Sequence, residues 1–208
     1  MSKFADNLYD AITEKDSAKL LNDYLTKRSG RYFELFRPHE NKPNEITPSD
    51  LLAVSQLSMK IGGYQIRDSI PESAVIKLFD KKFQKKIFTP LAKIKPIWRL
   101  ETISPKDLEI FNNEVGKLWP ILRDEVGLKL VATYKLMARK RPHLCPIRDR
   151  FAVKALGRPE NWYLGWQDAF KENQEIVKKL NDLRSKNQKA THLSLLRVAD
   201  IIIWERQK

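Results

Sequence analysis

Asp124 to Leu156 reads DEVGLKLVATYKLMARKRPHLCPIRDRFAVKAL, and the fold turns on how its apolar residues are spaced. Leu130, Val131, Tyr134, Met137 and Ala138 fall at i, i+1, i+4, i+7 and i+8, which is one apolar stripe on a helix. Lys129, Lys135 and the run Arg139-Lys140-Arg141 fall off that stripe and are expected to face outward. Asp124-Glu125-Val126-Gly127 reads as the turn of a hairpin between this helix and the one before it. Pro142 and Pro146 bracket a loop, and Pro146 suits the first position of a further helix. That register puts Asp149 in the first turn, where a carboxylate meets free amides and the positive helix end. Gly157-Arg158-Pro159 then ends the element.

Upstream, Ser104-Pro105-Lys106-Asp107 launches a helix through Phe111, Val115 and Leu118. Gly116 and Pro120 interrupt its pattern and predict a kink or break near Trp119. Thr47-Pro48-Ser49-Asp50 is another explicit start: a hydroxyl at the cap, proline at the first helical position, then a carboxylate. Gly62-Gly63 closes that helix, and no Lys-Ser or Lys-Thr follows, so it is no phosphate loop. Residues 4–28 are helical, with Asp16 or Ser17 as a cap. Arg31–Phe36 alternates as a short extended segment, and a polar loop carrying His39 and Pro43 follows. No Cys or His stands at metal spacing from His39. Residues 71–79 and 81–94 form two short helices. Phe83, Ile87 and Leu91 keep the second one's apolar face and leave Lys81, Lys82, Lys85 and Lys86 outward. This lysine cluster is either a solvated face or a phosphate-contacting surface.

Downstream, Asn161 caps a long helix lined by Trp162, Trp166, Ala169, Phe170, Val177 and Leu180, aromatics spaced as core. The last helix, LSLLRVADIIIWER, is apolar almost all round and therefore central, with Arg197 and Asp200 as a paired polar insertion. The sequence thus predicts an all-α protein, one compact helical domain over 1–208 with the hairpin-containing centre at 105–157.

Composition fits a globular chain, with 42% hydrophobic and 10% aromatic residues among 208. The net charge of +13 favours a polyanionic partner: DNA, RNA or an anionic surface. One cysteine, Cys145, excludes an intrachain disulfide and a four-cysteine zinc site. The amino-terminal stretch lacks the apolar core of a secretory signal, and no apolar run approaches the ~20 residues that span a bilayer. A cytoplasmic protein without membrane, metal or cofactor is expected. His143 and Cys145 stand two apart with no third group, so loop packing is their expected role.

Val126-Gly127 through Asp149 resembles the helix-hairpin-helix DNA glycosylase superfamily, whose hairpins end in a hydrophobic residue and glycine before a helix, a loop and an acid. The resemblance implies that hairpin amides hold a DNA phosphate and that the acid assists loss of a flipped-out base. Gly127 matches the second hairpin glycine, Lys129 the offset of a lysine nucleophile, and Asp149 the acid. Glu125 replaces the first glycine, and with Asp124 it sets two carboxylates where phosphate would lie. More broadly, Thr47–Val54, Ala138-Arg139-Lys140-Arg141-Pro142 with Pro146 and Asp149, Trp162, and Leu196–Asp200 with Trp204 are similar to an uncharacterised bacterial family, a domain of unknown function. That resemblance implies the all-α fold and no particular activity.

The expected function is nucleic-acid (DNA) binding through a basic surface near the hairpin. Gly127 and the turn amides would meet phosphate, while Lys129, Arg139, Lys140, Arg141, Arg148 and Arg150 add charge. One alternative is a degenerate or active glycosylase-like enzyme, with Lys129 as nucleophile or Asp149 as acid or base. Against it, Asp149 would serve its own helix start or pair with Arg148, Arg150 or Arg141. The other is a protein–protein module for an acidic partner, exposing aromatics around Tyr32, Trp98, Trp162 or Tyr163.

Overall fold

The structure, a computed structural model, describes residues 2–36, 42–62 and 69–208; His39 and Gly63 lie outside these. Twelve helices occur among the described residues: α1 (Lys3–Thr13), α2 (Ser17–Lys27), α3 (Arg31–Leu35), α4 (Pro48–Ser55), α5 (Glu72–Phe79), α6 (Lys81–Lys93), α7 (Pro105–Pro120), α8 (Leu130–Lys140), α9 (Arg150–Leu156), α10 (Trp162–Glu172), α11 (Gln174–Ser185) and α12 (Leu195–Arg206). Two strands of two residues each, β1 (Lys60–Ile61) and β2 (Ser69–Ile70), pair in parallel with Lys60 opposite Ser69 and Ile61 opposite Ile70. The fold is all-α, as the periodicity requires.

Two boundaries differ from expectation and a third agrees with it. Arg31–Phe36 is not extended: Arg31–Leu35 is helical, and the apolar residues Tyr32, Phe33 and Phe36 satisfy helical spacing as well as alternation. Asn173 splits the long helix in two, because its backbone N–H closes α10 on the Ala169 carbonyl while its side chain accepts from the Glu175 amide to start α11. The α pattern of α7 stops at Pro120, next to the break expected near Trp119. The chain widens into a π turn over Ile121–Glu125, with the Val126 amide donating to the Ile121 carbonyl at 2.9 Å.

The described residues form two compact units. The first comprises Met1–Arg31, Arg99–Glu101 and Pro142–Lys208. Its centre is α12, in which every residue from Leu195 to Ile203 is buried against α1, α2, α9 and α11. Arg197 and Asp200 pair inside it at 3.1 Å. Trp166 meets Trp162, Phe170 and Phe4 edge to face, and Phe4 also meets Trp162, at centroid distances of 5.6 to 6.5 Å, so this stripe is core.

The second unit comprises Tyr32–Trp98 and Thr102–Arg141. Its helix α4 opens with a full capping box: the Thr47 hydroxyl accepts from the Asp50 amide, and the Asp50 carboxylate accepts from the Thr47 amide at 2.9 Å. Ser104 caps α7 through the Asp107 amide. Helix α8 is central here, and it corrects the single-stripe expectation. Ala132 through Ala138 are all buried, Lys135 included, and so are Lys140 and Arg141.

Candidate nucleic-acid interface

The basic run was expected outside, and most of it is inside. A long cationic side chain can enter a core only where oxygen atoms replace its water, and the second unit provides them. Lys135 donates to the Leu57 carbonyl at 2.7 Å. Lys140 pairs with Asp50 at 2.8 Å and donates to the Lys42 carbonyl at 2.9 Å. Burial holds the Lys140 ammonium below its usual value, with the Asp50 charge opposing that shift. Arg139 is half-buried, donating to the carbonyls of Phe33 and Phe36 and lying 3.5 Å from the other Asp50 oxygen.

Arg141, 1% exposed, is the most committed of the three. Its guanidinium donates to the carbonyls of Ile94, Pro43, Lys140 and Leu91 and to the Asn44 side chain. Leu91 and Ile94 lie at the carboxyl end of α6, so Arg141 caps that helix with a charge of the sign its dipole favours.

The segment between α7 and α8 carries Gly127 and Lys129. The π turn leads through Val126 and Leu128, both buried, to exposed Gly127. Gly127 has φ +92°, while a Cβ there would meet nothing within 4 Å; the backbone conformation, and not crowding, calls for glycine. Lys129 then stands half-buried as the cap residue of α8, whose amino end receives no side-chain cap bond. Glu125 is not left to repel an anion, because Lys86 pairs with its carboxylate and Lys77 donates to its carbonyl at 2.8 Å.

Lys77 and Lys86 tie α5 and α6 to this turn. On α6, Ile87, Pro90 and Leu91 are buried, and Lys81, Lys82 and Lys85 are exposed, as the spacing predicts. Asp80 caps the helix through the amides of Lys82 and Phe83. From there to Glu101 the chain carries no acidic residue. Lys93 lies 3.5 Å from Glu114, but Lys81, Lys82 and Lys85 have no acidic partner among the described residues.

In the first unit, Asp149 is a helix cap. Its Oδ1 accepts from the amides of Phe151 and Ala152, both at 2.9 Å, and α9 begins at Arg150 instead of at Pro146. Pro146 is buried in the preceding loop. Arg148 is half-buried over the Trp162 ring at 5.9 Å, and exposed Arg150 lies over Phe151 at 4.7 Å. Cys145 is fully buried. Burial, with Arg99 and Arg184 nearby, lowers His143 to about 4, so it is neutral at pH 7. Lys129 and Asp149 thus belong to different units. Of the four aromatics considered for protein contact, Trp98, Trp162 and Tyr163 are buried and Tyr32 is exposed.

The α6 lysines Lys81, Lys82 and Lys85 are therefore at the surface of the second unit, while Lys140 and Arg141 at the end of α8 are not. The acid-free stretch after Asp80 signalled this in the sequence; nothing local in Arg139-Lys140-Arg141 marked it as internal. Among the described residues, no helix is long and apolar enough to cross a membrane. No group of three or more His, Cys, Asp or Glu among them could hold a metal ion. No curated protein and no solved structure matches the chain. A family of unknown function, DUF6308, matches residues 17–207. With nearly its whole length matched, the chain belongs to that family.

Proposed function

We propose that this protein binds nucleic acid by its phosphate backbone, through the outward face of α6 beside the hairpin turn. The observation that carries the reading is the exposed set Lys81, Lys82 and Lys85, without acidic partners among the described residues and in a segment with no acid between Asp80 and Glu101. Three ammonium groups within two turns of helix match the close spacing of charge along a nucleic-acid strand. The turn adds to this: Glu125 is neutralised by Lys86, Gly127 is exposed, and Lys129 stands at the uncapped amino end of α8. Arg139, Lys140 and Arg141 hold the unit together and supply no free charge to the contact.

The test is a salt titration of binding to a labelled oligonucleotide, with wild type and the Lys82→Glu/Lys85→Glu variant. Binding at low salt should weaken linearly on a log–log plot, and the variant should lose roughly 0.9 from the slope for each phosphate contact removed. Absence of binding by the wild type at low salt would sink the proposal, as would an unchanged slope in the variant.

A further inference from the structure

The charge on α6 is interleaved with an unshielded ring. Phe88 lies seven residues after Lys81 and three after Lys85, which puts it on the same exposed face. It is 44% exposed and has no ring or cation partner among the described residues. Phe79, at the end of α5 and two residues before α6, is 38% exposed. Phe83 differs: it is half-buried, with Lys77 and Lys86 each 5.9 Å from its centroid. One ring thus has two cations near it, and Phe88 and Phe79 are exposed with none among the described residues.

A flat lysine face would take any polyanion. Exposed phenylalanine on that face costs solvation and serves a duplex poorly, because paired bases offer no free π-face outside the stack. Unpaired bases do, and alternating aromatic and cationic side chains are how a strand is held without reading its sequence. We infer that the α6 face takes single-stranded nucleic acid, with bases stacking on Phe88 and Phe79 and phosphates meeting Lys81, Lys82 and Lys85. This rests on the nucleic-acid reading above and narrows its ligand. An anionic membrane is the weaker fit. The continuous apolar stripe of α6, through Ile87 and Leu91, is buried in the unit and cannot enter a lipid interface.

The experiment compares the full-length protein on labelled oligothymidylate, on its duplex with oligoadenylate, on an abasic oligomer of equal length and on phosphatidylserine-containing vesicles. Oligothymidylate should bind tightest. Phe88→Ala should weaken it about tenfold with the salt slope unchanged, and Phe88→Trp should restore it. The thermal melting curve of each variant checks that the partly exposed site leaves the fold intact. Equal affinity for strand, duplex and abasic oligomer, insensitive to Phe88→Ala, overturns the single-strand inference and leaves the phosphate-binding proposal standing. Binding of none of the three oligomers overturns both, and vesicle binding in their place reassigns the face to lipid.

Discussion

Two residues of the first unit set opposite pH responses. Asp200 lies in α12 with its Oδ2 receiving the Ile147 amide and the Arg197 guanidinium, each at 3.1 Å. Burial pushes its carboxyl up to about 7; Arg197 and the Ile147 amide oppose that shift, and Asp149 adds to it. His143 is pushed down to about 4, again chiefly by burial. Between pH 4 and 6.5 the unfolded chain protonates His143 and the folded chain does not, so this residue's contribution to stability grows as pH rises. Asp200 acts the other way: between 3.8 and about 7 the folded chain holds the proton, so its contribution falls as pH rises. Each effect is of the order of 3 kcal/mol over its window. Relative to wild type, Asp200→Asn should gain stability as pH is raised from 4 to 7, and His143→Gln should gain as pH is lowered from 6.5 to 4. Urea denaturation across that range measures both. Parallel pH profiles for the two variants and wild type would contradict the assignment.

At the scale of elements, the instructive pair is α12 and α8. Both are buried nearly all round, yet only α12 announces it, through the run Leu195–Ile203 in which Arg197 and Asp200 bond to each other. Helix α8 carries Lys135, Arg139 and Lys140, with Arg141 next, and reads as amphipathic. Its buried cations are matched by oxygens far away in sequence: Leu57, Asp50, Lys42, Pro43 and the carboxyl end of α6. Arg141 is the sharpest case, because a lysine there keeps the charge but cannot span five acceptors. Arg141→Lys should lower stability by about 3 kcal/mol, the cost of stranding buried polar groups. Lys85→Ala on the exposed face should stay within about 0.5 kcal/mol of wild type. Chemical denaturation midpoints of the two variants should separate clearly, and comparable losses would refute the division between structural and surface cations. The caps behaved more locally. Thr47, Ser104, Asn161 and Ser194 each accept the amide of a residue two or three positions on.

For the molecule as a whole, the chain order of the two units has a consequence. The second unit spans residues 32–141 except for Arg99–Glu101, while the first is drawn from both ends of the chain. A fragment of residues 32–141 retains α4 to α8 with their core and capping, and should melt cooperatively and remain helical by circular dichroism. A fragment of residues 142–208 retains α12 without α1 and α2, leaves its apolar surface uncovered, and should not fold. The same fragments test the expectation of one domain over 1–208. A 32–141 fragment without a cooperative transition favours it.

By itself the sequence determined most of the helical segments, with Arg31–Leu35 the exception, and the caps that start α4, α7 and α10. Apolar spacing and cap residues act within one or two turns, and Asp149, read as an acid at a helix start, caps α9 for the same local reason. It also marked the outward lysines of α6, since Ile87 and Leu91 fix which side of that helix is buried. Only the tertiary structure decided the fate of Lys135, Lys140 and Arg141. Whether a cation faces water or a core depends on acceptors 47 to 98 residues away, and no local pattern encodes those partners. The stretch Asp124–Leu156 thereby changed its meaning: Lys135, Lys140 and Arg141 bind the chain to itself, while Lys81, Lys82 and Lys85 of α6 stay at the surface.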